Sequence, residues 1–432
     1  MSIAKVNTSA THRLTFSEQL SIRSDCLLLL TPLWQVQAFE CAELPWETQF
    51  PELAKAVWQI DDSEIDTIDA DQTALVECLL PSLQLDLASN NLSIDGLFEL
   101  LTSKVKAQVE VSVNQVQNKI AEQGLTESEL SHFSAHIKGR KWQQITAFAH
   151  FIPADDLPIL EWCAGKGHLG RYLAKKKATK VTSLEWQQSL CEQGQAFADK
   201  WHLPQTFTCT DVFEIENSPL INKQHAVALH ACGDLHVRLI DLAVQASTRA
   251  ISFSPCCYHL IQASHYQALS DVAKDSGLTF SRHDLQLPLQ QSVIANPKQQ
   301  LLRHQEISWR LGFDSLQRDI TGSGRYLPIP SVKRSQLSAS FDEFCRWAAN
   351  QKGVALNGSI DFDDYLIKGE HRQALTRRID LVAHLFRLII EQWLLLDRVC
   401  FLEQHGYQVE MFEFCANSIT PRNCLIQAKK QP

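Results

Sequence analysis

The chain of 432 residues has no run of 18 or more apolar residues, so no membrane-spanning helix is expected. Its opening stretch, MSIAKVNTSATHRLTFSEQL, lacks an apolar h-region, and no secretory signal is read there. There is no internal repeat and no low-complexity tract. No C-x-x-C occurs, which removes the commonest zinc-site spacing. The 13 cysteines are odd in number, and several sit in apolar runs (Cys26, Cys78, Cys400). That usage suits a reducing cytosol better than a disulfide scaffold, so a cytoplasmic location is expected. A net charge of −9 argues against non-specific affinity for nucleic acid over the whole surface. It leaves room for a local basic face.

What is present is a globular composition, 45% hydrophobic and 21% charged. Four regions follow from the texture. Residues 1–140 read as an α-rich accessory region, with a substrate-docking module as the alternative. Leu27–Pro32 and Leu33–Phe39 are expected as short strands. An acidic stretch follows over 61–71, then a helical pattern over Ile94–Glu122, and Thr126 is expected to cap a further helix. Residues 141–281 alternate short β-type runs with helical stretches, which predicts a doubly wound, mostly parallel α/β sheet. Residues 282–372 interrupt it as a helical and loop insertion. Residues 373–432 add one long helix, over Leu375–Glu403, and an antiparallel hairpin that completes a seven-stranded Rossmann-like sheet.

The informative segment is 160-LEWCAGKGHLGRYLAKKKATKVTSLEW-186. Gly165-x-Gly167-x-x-Gly170 stands between a predicted strand and a predicted helix, as nucleotide-type cofactor loops do. Lys166 is not followed by Ser or Thr, so a triphosphate loop is excluded. Glu161 ends the first strand, where a carboxylate suits a sulfonium and an ammonium better than a pyrophosphate. Glu185 ends the second strand, where a carboxylate accepts from ribose hydroxyls. Asp211 follows the third strand and is placed to accept from an adenine amine, with Val212 and Phe213 covering the ring. Together these favour S-adenosylmethionine (SAM). Cys163 and His230 complete the expected cofactor wall. A nicotinamide-dependent oxidoreductase is the runner-up.

Strand four ends in His230-Ala-Cys232-Gly-Asp234 and strand five in Ser254-Pro255-Cys256-Cys257-Tyr258-His259. Three readings compete for this cluster. One is a polar wall shaping a methyl acceptor, with Asp234 or His259 as base. Another is cysteine nucleophilic catalysis. Its layout resembles RNA cytosine-C5 methyltransferases, except that Ala-Cys-Gly stands where those carry Pro-Cys. The third is a metal site, disfavoured because adjacent cysteines rarely chelate one zinc. No metal is assigned. Plain buried cysteine accounts for the remainder.

The motifs E-W-C-A-G-K-G-H-L-G-R, H-A-C-G-D-L, S-P-C-C-Y-H and I-T-P-R-N, in this order, resemble one superfamily. It holds the methyltransferase-like proteins grouped with the glutathione-transferase C-terminal-domain-containing protein. A looser likeness is to tRNA 2′-O-methyltransferases. The resemblance implies a class I SAM-dependent methyltransferase. By it, Glu161, Gly165, Gly167, Glu185 and Asp211 would line the cofactor. Cys232, Asp234, Pro255, Cys256, Cys257, His259 and Arg422 would face the acceptor, with Tyr258 beside them.

RNA is the expected acceptor. The insertion carries Arg303, His304, Arg310, Arg318, Arg325, Lys333 and Arg334 interleaved with Trp309, Phe313 and Tyr326, a pattern suited to phosphates and bases. A second basic group is Lys138, Arg140 and Lys141 with Trp142, and a third is Lys175–Lys177. The acidic N-terminal stretch is expected to lie away from that face. Protein or small-molecule methylation, or a non-catalytic SAM-fold module, are the alternatives.

Overall fold

The computed structural model describes residues 14–104, 126–153, 155–215, 217–229, 231–290 and 297–431. The chain divides into two compact units. One gathers Met1–Asp25, Val105–Gln286 and Gln392–Pro432; the other gathers Cys26–Lys104 and Leu287–Glu391.

The first unit holds a seven-stranded sheet. Its strands are β1 (Ile159–Glu161), β2 (Val181–Glu185), β3 (Gln205–Cys209), β4 (His225–Ala228), β5 (Ala250–Phe253), β6 (Tyr407–Glu413) and β7 (Cys424–Lys430). They lie in the order β3-β2-β1-β4-β5-β7-β6. The first five are parallel, and β7 runs antiparallel to both β5 and β6. This is the expected doubly wound, mostly parallel Rossmann-like sheet, closed by the predicted hairpin. β1, β4 and β5 are buried along their whole length, as central strands covered on both faces must be. Because β1 lies between β2 and β4, the crossovers on either side leave in opposite directions. The resulting crevice opens at the carboxyl ends of the strands.

The apolar layer beneath includes Phe148, Ile159, Tyr172, Leu173, Val181 and Leu425. The helix His168–Lys177 starts directly on Gly167, and its last turn carries Lys175, Lys176 and Lys177, where cations complement the helix dipole. The helix Glu127–Ser134 is capped as its sequence predicts: the Thr126 hydroxyl accepts from the Glu129 amide, and the Glu129 carboxylate accepts from the Thr126 amide. The helical pattern over 94–122 is described only in part, as Leu97–Thr102; residues 105–125 lie outside the described residues.

The second unit is helical. The stretches expected as strands at Leu27–Phe39 are instead the end of the helix Phe16–Leu29, the helix Thr31–Trp34 and a 3-10 turn at Ala38–Glu40. Leu27, Leu30, Leu33 and Trp34 are all buried, at helical spacing. Short apolar runs do not declare their period, and here the buried face was helical. The long helix expected over Leu375–Glu403 is two, Phe362–His384 and Arg387–Gln404. Within the second unit, Pro297–Thr321, Phe341–Lys352 and Phe362–His384 pack around Trp309, Phe313, Phe341 and Phe344.

That packing corrects the reading of the insertion as a nucleic-acid face. Trp309 and Phe313 are core residues, not stacking platforms. Arg318 and Arg372 converge on the fully buried Asp314 at 2.7 and 2.8 Å. Arg310 pairs with Glu306 at 2.8 Å and donates to the carbonyls of Ile329 and Pro330. Tyr326 packs edge-on against Phe39. The acidic N-terminal stretch meets the insertion's basic set at His304, which lies 3.6 Å from Asp66, and otherwise pairs with base that follows the insertion. Asp62 binds Arg378, Asp66 binds Arg377, and Asp69 binds His384 and Arg387. Arg303, Arg325, Lys333 and Arg334 stay exposed.

Candidate functional site: a cleft at the strand ends and a neighbouring thiol cluster

A cleft of about 420 Å³ opens where the fold predicts it, at the carboxyl ends of β1, β2 and β3. Cys163, Gly165, Glu185, Asp211 and Val212 line it, five of the residues singled out from sequence. Gly165 and Gly167 have φ of +60° and +66°, left-handed conformations that favour glycine. The two differ in what surrounds them. A Cβ on Gly167 would overlap the Phe207 ring, whereas a Cβ on Gly165 would meet nothing within 4 Å. Gly167 therefore serves helix-to-sheet packing, and Gly165 leaves open space at the cleft.

Glu185 ties loop and strand together. Its Oε2 accepts from the Gly165 amide at 2.8 Å and its Oε1 from the Gln187 amide at 3.1 Å. Each oxygen keeps a lone pair for a further donor. Asp211 is exposed, and its Oδ1 accepts from the Phe213 amide at 2.9 Å. Val212 is buried in the cleft wall. Trp186, which the sequence reading passed over, also lines the cleft and is 66% exposed. So large a bare aromatic surface beside a polar cleft is the kind of surface a planar ligand covers. Its signal in the sequence was its place directly after Glu185.

Glu161 departs from expectation. It is fully buried beneath the loop rather than facing the cleft. Its carboxylate accepts from the Ser183 hydroxyl at 2.6 Å and from the Gly170 amide. Gln205 braces the same spot through Ser183 Oγ and the Gly167 carbonyl. A Cβ on Gly170 would overlap that carboxylate, which accounts for the third glycine of the motif. Burial pushes the Glu161 carboxyl up to about 7 against those donors. Burial also pushes the Cys163 thiol up to about 12, with the Glu185 charge adding to the effect, so this thiol is neutral.

Next to the cleft, the ends of β4 and β5 bring Cys232, Cys256 and Cys257 together, their sulfurs all within 4.8 Å of one another. Cys232 and Cys256 pair across a parallel bridge, with sulfurs 3.3 Å apart. Hydrogen bonding from Cys256, joined by Cys257, pulls the Cys232 thiol down to about 6 against the cost of burial. Cys256, the partner of that bond, is pushed up. The Cys232 charge is felt at Cys163, which lines the cleft.

The remaining acceptor-side residues separate. Asp234 opens the helix Asp234–Gln245, and its Oδ2 accepts from the Gln262 amide at 2.7 Å, so it fastens the loop after β5. The His259 Nδ1 is buried and has no hydrogen-bond partner among the described residues. Arg422 reaches Cys257 electrostatically. Pro255 and Tyr258 are buried, and the Tyr258 ring lies under the Arg398 guanidinium at 5.2 Å. Those two support the wall from behind rather than meeting an acceptor. His230 lies outside the described residues.

Residues 140–264 match the family model of a methyltransferase domain, which agrees with the sheet order and the cleft. Solved structures resemble parts of the chain. The tRNA (uracil-54, C5)-methyltransferase of Pyrococcus abyssi is 18% identical, with a TM-score of 0.23, over 26% of this chain and 28% of that one. The magnesium protoporphyrin IX methyltransferase of Synechocystis PCC 6803 is 13% identical, with a TM-score of 0.24, over 32% and 65%. TrmK of M. capricolum is 12% identical, with a TM-score of 0.22, over 26% and 50%. The matches thus span between 28% and 65% of those chains' own length. The match to a methyltransferase domain is confined to residues 140–264. SAM is the cofactor of such domains, and the open space at Gly165, the twofold-bonded Glu185 and the bare Trp186 fit it.

Proposed function

We propose that this chain is a SAM-dependent methyltransferase acting on RNA, within the superfamily its four motifs resemble. The observation that carries the cofactor half is the Glu185 carboxylate, bonded to the Gly165 amide at the floor of the cleft. In this reading Glu185 accepts from the ribose hydroxyls. Val212 and Trp186 cover the adenine faces, and Asp211 accepts from its amine. Cys163 and Gly165 border the methionine end. Glu161 holds the loop that presents Gly165.

A bound sulfonium supplies an already activated methyl group, so the chain has only to align the acceptor and remove its proton where one must leave. In this reading His259 rather than Asp234 is the base, since Asp234 is committed to the Gln262 amide while the His259 Nδ1 has no hydrogen-bond partner among the described residues. What supports RNA is exposed base around the helix that follows the glycine loop. Lys138, Arg140, Lys141 and Lys166 are exposed, and Lys141 and Lys166 act electrostatically on His168 in the glycine-loop helix. A cytoplasmic location goes with this reading. Among the described residues no helix is long and apolar enough to cross a membrane.

Calorimetry with SAM on wild type and Gly165→Val tests the cofactor site. The valine adds bulk in the open cleft and strain at a φ of +60°. Affinity should fall by about two orders of magnitude or more, with the circular dichroism spectrum preserved. Unchanged affinity would remove the site. Transfer of labelled methyl to RNA and protein fractions from cells lacking the gene tests the acceptor. Label appearing only in protein would overturn RNA.

A further inference from the structure

We propose that Cys232, Cys256 and Cys257 form a binding site for one thiophilic divalent cation, of which zinc is the type. The case begins with backbone geometry. In extended chain, successive side chains point to opposite sides, so adjacent cysteines ordinarily cannot share a ligand. Here Cys257 adopts a φ of +48°, an uncommon conformation for a residue with a side chain. The turn brings its sulfur round to the side of Cys256, and both face Cys232.

The two loops are fastened in that arrangement. The Gly233 amide donates to the Cys256 carbonyl at 3.2 Å and the Asp234 amide to the Leu260 carbonyl at 3.0 Å. The Leu260 amide donates to the Cys257 carbonyl at 3.0 Å, and Asp234 Oδ2 accepts from Gln262. Gly233 has a φ of +54°, and a Cβ there would overlap the Leu260 carbonyl, so the close approach needs glycine. The three thiols are thus held together by backbone contacts that exist without a metal.

Zinc–thiolate bonds of about 2.3 Å in a tetrahedral shell set sulfurs about 3.8 Å apart. The observed set, from 3.3 Å to within 4.8 Å, brackets that spacing, so small side-chain rotations suffice. Thiolate donors select zinc over magnesium or calcium. His259 is not within the set, so three protein ligands leave one position for water or an acceptor atom, the pattern of a reactive rather than a purely structural zinc. The Arg422 charge, felt at Cys257, offsets part of the excess negative charge of three thiolates.

The test uses the full chain, stripped of metal under reducing conditions and titrated with cobalt(II), then with zinc against a chromophoric chelator. One equivalent of cobalt should bring up a thiolate-to-cobalt charge-transfer band that zinc abolishes. Cys232→Ser should weaken zinc binding at least tenfold. Cys78→Ser, at an exposed cysteine of the second unit, should leave it unchanged. Absence of the band, an unaltered band in Cys232→Ser, or loss of two titratable thiols to a Cys232–Cys256 disulfide would each overturn the site. The assay reads metal and not methyl transfer. SAM binding without a cobalt band sinks only the metal site, and a band without SAM binding sinks only the proposed function.

Discussion

The glycine-loop region and the insertion both drew attention in the sequence for their polar residues, and they turned out to be different kinds of surface. In the first, Glu185 and Asp211 are held by neighbouring backbone amides and border an open cleft. In the second, Arg310, Arg318 and Arg372 are spent on carboxylates and carbonyls of their own unit. A loop fixed by glycines and by hydrogen bonds over short sequence separations keeps its purpose wherever the rest of the chain goes. A run of arginines has no purpose until its partners are known, and here they are Glu306 and Asp314, one turn back on the same helix as Arg310 and Arg318, with Arg372 reaching Asp314 from farther along the chain.

The strongest way to break this contrast is at Asp314. Its buried carboxylate accepts from Arg318, Arg372, Gln317 and the Leu327 amide. Asp314→Ala leaves Arg372 without its counter-charge and Arg318 with only the exposed Glu40, and should cost about 3–5 kcal/mol, read from urea unfolding. A loss under about 1 kcal/mol, the range of exposed pairs, would mean these arginines are surface base after all.

A comparable effect, dependent on pH, is expected at Glu161. Its carboxyl is raised from 4.5 to about 7 in the folded chain, so across that window the folded state holds the proton that the unfolded state has lost. Stability from this group is full below about pH 4.5 and falls as pH rises through about 7, by roughly 3 kcal/mol in all. Glu161→Gln should flatten that slope. An unchanged slope between the two proteins would show that Glu161 is ionised in its pocket.

The smallest effect sharpens the contrast rather than breaking it. Lys141→Ala should lower the dependence of log RNA affinity on log salt by about one unit, while Lys333→Ala, in the other unit, should leave it nearly unchanged. Equal slopes for the two variants would return the insertion to the RNA surface.

Much of the fold was legible because its signals are local. Alternating strands and helices from 159 to 253, the cap at Thr126, the glycine loop and the terminal hairpin all depend on residues close in sequence. The strands expected near Leu27 failed because an apolar run of that length fits either period until something packs on it. Trp186 was missed because exposure, not residue type, marks it.

The sequence by itself determined the order of elements, the carboxylates at successive strand ends and the glycines between them, since each follows from neighbours in the chain. Only the tertiary structure decided which way those groups point. It turned Glu161 inward to hold Gly170, buried Tyr258 under Arg398, paired Arg372 with a buried carboxylate and drew three cysteines from two strand ends into one cluster. Side-chain direction is settled by burial and by partners distant in sequence, as where Arg372 reaches Asp314, and is not written in local spacing, whereas the i,i+4 pairs Glu306–Arg310 and Asp314–Arg318 are.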